Sequence, residues 1–142
     1  MATLHPYLHF NGNCAEAFQF YRGIFGGEFS SIMRYKDMPA EVPISADAGH
    51  LILFVVLPIG PHSMLMGSDT NPSLGQPRQG DEYHISIQPA SEAEASHLFH
   101  ALSAGGQVEC PLEKTFWNAL FGMFRDKYGI QWVVNYDYAQ SK

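Results

Sequence analysis

The chain is short, rich in aromatic side chains and poor in charge. Its 142 residues fit one domain, 13% of them are aromatic, and only 15% are charged, against about 25% in typical soluble domains. This composition excludes an intrinsically disordered chain, and the net charge of −6 argues against binding to nucleic acid.

Two features of the sequence predict a cytoplasmic protein that does not enter a membrane. The longest apolar run, 51–59, is far shorter than the ~20 residues that a membrane-spanning helix needs. Residues 1–6 carry no secretory signal, so we expect Cys14 and Cys110 to remain reduced thiols. The absence of any Cys-x-x-Cys unit excludes a metal cluster built on such units.

The first half of the chain predicts a strand, a helix and three further strands. Residues 7–10 are typical of a strand, and Asn13 with Glu16 in capping-box position predicts a helix that ends at Gly26 and Gly27. The apolar spacing predicts its buried face, which comprises Cys14, Ala17, Phe18, Tyr21, Ile24 and Phe25. Strands are then predicted at 28–35, 50–57 and 63–66.

The second half repeats this order, starting with an alternating strand at 84–87. A second capping pair, Ser91 with Glu94, lies 78 positions after the first, and the next glycine pair lies 79 positions after its counterpart. The buried face of this helix is predicted to comprise Ala95, Leu98, Phe99 and Leu102. Strands are then predicted at 107–110, 119–125 and 131–136.

The repeated order predicts a duplicated βαβββ unit. The first repeat spans 1–68, a linker rich in proline and glycine spans 69–81, and the second repeat spans 82–142. One such unit leaves one face of its sheet uncovered, so two units side by side would form an incomplete barrel with the helices outside. We therefore predict an α+β fold whose inner concave face holds a small ligand.

Two stretches of the sequence resemble one protein family. The opening at 6–17, PYLHFNGNCAEA, resembles the start of the PhnB-like branch of the vicinal oxygen chelate superfamily, which includes glyoxalase, bleomycin-resistance and extradiol dioxygenase proteins. The tail resembles that branch more closely, at LEKTFW (112–117), Phe121 with Gly122, and DKYGIQW (126–132). The resemblance covers nearly the whole chain and implies the same two-repeat barrel.

The resemblance also implies where a metal would bind. Enzymes of this superfamily typically hold a divalent metal on four inward side chains, usually His, Glu or Gln. The corresponding positions here are Pro6, Met66, His84 and Val133, although a shift by one residue would replace Pro6 with His5. Only His84 fits a hard divalent metal, so we predict no metal and no cofactor.

Members of the branch are often labelled as demethylubiquinone methyltransferases. A Rossmann-type methyltransferase needs a glycine-rich loop after its first strand, so that the backbone can approach the cofactor. Residues 11–14, NGNC, follow the first strand here and contain no Gly-x-Gly. Methyltransferase activity is therefore not expected.

His84 is the strongest candidate for a catalytic residue. If Ile85 and Ile87 face the helix, strand alternation turns His84, Ser86 and Gln88 towards the concave face. An imidazole there would serve as a general base or a hydrogen-bond donor. The alternative is a half-buried histidine bonded to a backbone carbonyl.

Apolar side chains are expected to form the walls of the ligand site. The same alternation turns Pro6, Leu8 and Phe10 inward, and the loop at 115–118 presents Trp117 either to the barrel mouth or to a dimer interface. The predicted ligand-binding residues are Leu8, Phe10, Met66, Ser86, Gln88, Trp117, Phe121 and Trp132.

Other polar residues are expected to have structural roles. Cys14 lies on the buried face of the first helix, which favours inert packing over a reactive thiol. Residues 126–129 are predicted to form a hairpin turn in which Gly129 adopts a positive φ. Arg125 is expected to form a surface ion pair with the adjacent Asp126.

Two functions from different classes remain open. The first is a homodimeric, metal-free module that binds a small organic ligand, as resistance proteins of the resembled superfamily do. The second is an enzyme, such as a lyase, isomerase or dioxygenase, that acts on a small oxygenated substrate. It would use His84 as a base or a divalent metal recruited through His5. A third alternative is a scaffold whose pocket is filled by Trp and Phe side chains.

Overall fold

The computed structural model describes residues 4–37, 49–70, 80 and 82–138. It confirms the predicted α+β class, because it contains two four-stranded sheets, each accompanied by one helix. The chain divides into two compact units, Met1–Arg78 and Gln79–Lys142. Most of the predicted linker lies outside the described residues.

The first unit has the βαβββ order that the sequence predicts. Its elements are β1 (Tyr7–Phe10), α1 (Cys14–Phe25), β2 (Ser31–Arg34), a short 3-10 helix (Tyr35–Asp37), β3 (Ile52–Ile59) and β4 (Ser63–Asp69). The strands lie in the order β1-β4-β3-β2, with β1 parallel to β4 and the other pairs antiparallel.

The second unit repeats this topology. Its elements are β5 (Ile85–Ile87), α2 (Glu92–Ser103), β6 (Gln107–Lys114), β7 (Ala119–Arg125) and β8 (Gln131–Asp137). The strands lie in the order β5-β8-β7-β6, with β5 parallel to β8 and the other pairs antiparallel. Each unit therefore has two edge strands, β1 and β2 in the first and β5 and β6 in the second.

The helices bury the faces that their apolar spacing predicts, with small differences at the end of α1. Residues Cys14, Ala17, Phe18 and Tyr21 of α1 are buried, whereas Ile24 and Phe25 are half-buried. In α2 the buried residues are the four predicted ones, Ala95, Leu98, Phe99 and Leu102. Helical periodicity identifies these residues because one face of each helix packs on its sheet.

A glycine allows each helix to pack closely against its sheet. A Cβ atom on Gly67 of β4 would lie 2.6 Å from Cε1 of Phe18, and one on Gly122 of β7 would lie 2.5 Å from Cε2 of Phe99. Each phenylalanine ring thus occupies the space that a side chain would fill. Gly67 and Gly122 therefore mark the helix-covered side of their sheets.

Strand β6 extends four residues beyond its predicted end at Cys110. Pro111, which follows the predicted end, lacks a backbone N–H and cannot donate to a neighbouring strand. The strand continues to Lys114 because it is an edge strand and its pairing with β7 shifts register on both sides of Cys110. Prolines are tolerated at such edges and bulges.

The cap of α1 differs from the prediction. The Asn13 side chain makes no capping hydrogen bond. Instead Oδ1 of Asp69 accepts a hydrogen bond of 2.9 Å from the backbone N–H of Cys14. Asp69, predicted to lie in the linker, is the last residue of β4 and is only 2% exposed. In α2 the predicted cap is confirmed, because Oγ of Ser91 accepts from the N–H of Glu94 at 3.1 Å.

The Asp69 carboxylate also holds the start of β3. Its Oδ2 accepts a hydrogen bond of 2.8 Å from the N–H of Ile52, and its backbone oxygen accepts one of 3.1 Å from the Tyr35 hydroxyl. One buried side chain therefore joins β4 to the helix N-terminus and to the neighbouring strand. Both carboxylate bonds are charge-assisted, which places them among the stronger hydrogen bonds of a protein.

We expect Asp69→Asn to lower the free energy of unfolding by about 2–3 kcal/mol, because the amide NH₂ would face a backbone N–H that then lacks an acceptor. Glu28→Gln is the matched control, since it removes a carboxylate that is exposed and pairs with Arg22 at 3.1 Å. That change should cost less than about 1 kcal/mol. Urea unfolding curves measure both, and equal costs would contradict the role assigned to Asp69.

Candidate functional site

The second sheet has one side covered by α2 and one open side. The Phe99 ring of α2 packs edge-on against Phe124 at 5.1 Å between centroids, and Phe124 pairs with the buried Trp132. Trp132 pairs in turn with Ile85, so these strand residues lie on the helix side. The opposite side, called here the open face, carries the alternating residues Ser86, Phe121, Met123, Arg125, Val133 and Asn135.

A histidine and a carboxylate meet over this open face. Nε2 of His84 lies 3.4 Å from Oε1 of Glu109. His84 directly precedes β5, and Glu109 belongs to β6, so the pair joins the two edges of the sheet. Both side chains must extend over the central strands, β7 and β8, to reach each other. They are 21% and 35% exposed, so the pair borders solvent.

Glu109 was not among the residues predicted from the sequence. It lies in the register shift between Val108 and Cys110. Val108 lines the helix side with Phe99, and alternation then turns Glu109 to the open face. The sequence signal for this was weak, since it required the true length of β6 and the position of its bulge.

Hydrogen bonds of Arg125 and Gln131 fix the segment that carries His84. The Arg125 guanidinium donates to the carbonyl of Gly129 at 3.0 Å and to Oε1 of Gln131 at 3.1 Å. Gln131 then donates to the carbonyl of Tyr83 at 2.8 Å. Arg125 therefore stabilises the β7–β8 hairpin. Its guanidinium does not extend into solvent, as it would in an ordinary surface ion pair.

The turn between β7 and β8 is organised by a buried carboxylate. Asp126 is 2% exposed, and its Oδ1 accepts from the N–H groups of Tyr128 and Ile130 at 2.8 and 3.0 Å. Gly129 has a φ of 88°, which confirms the predicted turn. Oδ2 of Asp126 accepts from the indole N–H of Trp132 at 2.9 Å.

Three of the predicted wall residues lie on the helix-covered side, which corrects the expected orientation. Trp132 is 1% exposed and bonded to Asp126, so it belongs to the core. Leu8 pairs with Gly67, whose missing side chain faces α1, and the Phe10 ring packs edge-on against Phe18. Leu8 and Phe10 are therefore buried beneath α1.

Other predicted residues do lie on the open sides of the sheets. Ser86 is exposed beside Val133, and Gln88 is exposed just after β5. In the first unit Met66 pairs with Tyr7 and is half-buried, on the side of its sheet opposite Gly67.

Aromatic rings occupy the other end of the open face. The Trp117 ring lies 5.6 Å from the Phe121 ring and is half exposed, whereas Phe116 is 97% exposed. Phe121 pairs with Asn135, which lies four positions along β8 from Gln131. At ~3.3 Å per residue, the aromatic end is about 13 Å from the His84 end along the strand direction.

A groove of about 500 Å³ lies on the helix side of the second sheet, between α2 and β6. Its lining includes Phe99 and His100 of α2 with Val108 and Leu112 of β6. None of the residues predicted for the ligand site borders it.

The donors in the described residues do not fit the metal that the family resemblance implies. Within residues 4–37, 49–70, 80 and 82–138, no group of three or more His, Cys, Asp or Glu side chains could hold an ion. His84 and Glu109 supply two donors, and Val133 supplies none. No reaction step is therefore assigned to a metal. Across the same residues, no helix is long and apolar enough to cross a membrane.

Comparison with known proteins gives the class of this chain. A sequence model of the Glyoxalase/Bleomycin resistance protein/Dioxygenase superfamily matches residues 3–134. The chain belongs to this superfamily, as its motifs and its two βαβββ units predict.

Individual relatives match this chain along nearly their whole length. The crystal structure of PA1353 from Pseudomonas aeruginosa is 40% identical, with a TM-score of 0.84 over 96% of this chain and 98% of that one. YjdN from Escherichia coli K12 is 29% identical over 93% of both chains. A PhnB protein from Bacillus cereus is 23% identical, with a TM-score of 0.75 over 95% of this chain and 99% of that one, and its name includes the description 3-demethylubiquinone-9 3-methyltransferase. The FosX fosfomycin resistance protein from Listeria monocytogenes shares the fold at 10% identity, with a TM-score of 0.66 over 99% and 98%.

The two cysteines differ in exposure and should differ in reactivity. Both are free thiols, Cys14 buried and Cys110 exposed. Burial raises the pKa of the Cys14 thiol, and the nearby Asp69 carboxylate raises it further. A raised pKa keeps this thiol protonated, and hence a poor nucleophile, even at pH 9.

We expect a disulfide reagent to label one thiol per native chain at pH 7 and at pH 9, and two after unfolding in denaturant. Cys110→Ser should remove the native reaction, and Cys14→Ser should leave it intact. Two rapidly reacting thiols in the native protein would contradict the inert role assigned to Cys14.

Proposed function

We propose that the protein binds a small organic ligand on the open face of its second sheet, without a metal. The observation that carries the proposal is that one face holds both a solvent-bordering polar pair, His84 with Glu109, and an aromatic surface about 13 Å further along the strands. Small-molecule sites combine apolar walls with a few placed polar groups in this way.

The arrangement favours an elongated amphipathic ligand. Trp117 and Phe121 offer ring surface at one end, and Met123 and Val133 continue the apolar surface along the face. The polar head of the ligand would meet His84 at the other end. Half-exposed Trp117 gains most from a bound apolar group, because a large apolar ring then leaves water.

An enzymatic function is the second candidate, and the His84–Glu109 contact favours it. A carboxylate beside an imidazole stabilises the positive charge that develops when the ring takes a proton, so His84 would act as a general base on an oxygenated substrate. Methyl transfer is not favoured, because residues 11–14 after β1 lack the glycine pattern that a nucleotide cofactor needs.

We also propose that the protein is a homodimer in the cytoplasm. Several large apolar side chains are exposed on the single chain, which supports burial against a second copy. They include Leu4, Ile32, Met33, Met64, Val108 and Phe116.

Light scattering at micromolar concentration should give twice the mass of the chain. The measured mass should not change on dilution across the micromolar range. A dimer with an interface of standard size stays associated at concentrations well below that range. A mass equal to one chain would contradict the dimer.

A thermal-shift screen across aromatic acids, quinones, aldehydes and antibiotics tests ligand binding, because a ligand that binds only the folded state raises Tm. For any hit, Trp117→Ala should weaken affinity about tenfold, because the ring-stacking surface is lost. Phe116→Ala is the matched control on the neighbouring, fully exposed ring, and affinity should stay within about twofold. A blank screen would favour the scaffold alternative.

Elemental analysis of protein purified without chelator should find far less than one divalent ion per chain. A stoichiometric ion that disappears in His84→Gln would contradict the metal-free proposal and would favour the enzymatic candidate. The His84→Gln variant keeps a polar side chain of similar reach, so its loss of metal would reflect the missing imidazole.

A further inference from the structure

We propose that Glu109 is a positioning residue that fixes the ring of His84, so that the free Nδ1 accepts a hydrogen bond from a hydroxyl group of the ligand. This inference rests on the proposed function and names the chemical class of the ligand, an alcohol, phenol or enol with an apolar body. It also assigns a role to a residue that no sequence motif indicated.

The first step concerns which ring nitrogen carries the hydrogen. A carboxylate accepts hydrogen bonds and has no hydrogen to donate. Because Oε1 of Glu109 lies 3.4 Å from Nε2 of His84, the contact is a hydrogen bond only when Nε2 carries the hydrogen. In the neutral ring Nδ1 then has a lone pair and no hydrogen, so it is an acceptor.

The second step concerns what Nδ1 can meet. Among the residues that the structure describes, Glu109 is the one hydrogen-bond partner of the His84 ring. The side chain is 21% exposed, so a solvent or ligand atom can reach the ring. A ligand atom that satisfies an acceptor nitrogen must itself donate, which selects O–H over carbonyl, ether or carboxylate oxygens.

The third step is that the geometry is held from both ends. The carbonyl of Tyr83 is bound by Gln131, which Arg125 orients, so the backbone before His84 is fixed to the β7–β8 hairpin. Glu109 fixes the far end of the ring from the opposite edge of the sheet. The backbone before His84 and the Nε2 atom of its ring are thus each held by a hydrogen bond.

Ring nitrogen NMR of the full-length protein tests the positioning directly. His84 is assigned as the signal lost in His84→Gln. We expect the wild-type ring to be in the Nε2–H tautomer in its neutral form, and Glu109→Leu, which removes the acceptor, to give a mixture of the two tautomers. Glu113→Leu, on the same strand, is the matched control and should leave the signal unchanged.

A pair of probes tests the ligand class. 2-Naphthol and 2-methoxynaphthalene have the same ring body and differ in the hydroxyl hydrogen. Wild-type protein should bind the naphthol at least about fivefold more tightly than its methyl ether, and Glu109→Leu should reduce that ratio to about twofold or less. The circular dichroism spectrum of each variant confirms that it is folded.

The outcomes separate the inference from the function on which it rests. An unchanged tautomer in folded Glu109→Leu overturns the positioning role, whatever the probes do. Equal binding of both probes to wild-type protein overturns the hydroxyl class. If neither probe binds, ligand binding on this face is contradicted, while the tautomer measurement still decides the role of Glu109.

Discussion

Each unit of this protein depends on a buried carboxylate that must be satisfied by hydrogen bonds. Taking a charged group out of water costs several kcal/mol unless donors surround it, so nearby N–H groups are held in place. Asp69 accepts hydrogen bonds from the first N–H of α1 and the first N–H of β3. Asp126 collects two N–H groups of its own turn and the indole of Trp132. In both cases one side chain fixes elements that hydrophobic packing alone would allow to shift.

The geometry of the candidate site depends on the second of these carboxylates, Asp126. The turn at Asp126 sets the pairing of Arg125 with Gln131, and their side chains bond to each other on the open face. Gln131 then holds the backbone at Tyr83, immediately before His84. The position of a polar group at the edge of the sheet is thus determined by a turn at the same end of the neighbouring strand β8. A loose turn there would leave His84 without a fixed relation to Glu109.

The elements of the fold could be predicted from the sequence because their signals are local. Helical spacing identifies the buried face of α2 within twelve residues, and the turn at Gly129 needs only four. The cap of α1 could not be found this way, because Asp69 lies 55 positions from Cys14. The orientation of β1 was misassigned because Leu8 and Phe10 are apolar enough for either side of a sheet. Their burial beneath α1 follows only from the pairing of Leu8 with Gly67.

The two repeats share a topology but present different chemistry on their open sides, and this difference argues for where function resides. In the first unit Tyr7, Met66 and Val56 give this side ring, thioether and aliphatic groups, and His9 beside Ser68 adds polar groups that make no ion pair among the described residues. The second unit places an imidazole and a carboxylate across the corresponding side. Hydrophobic contact is non-directional, whereas a hydrogen bond to a fixed ring nitrogen depends on the angle and the identity of the partner. The His84–Glu109 pair therefore gives the second repeat a directional contact with which to discriminate between one polar ligand and another.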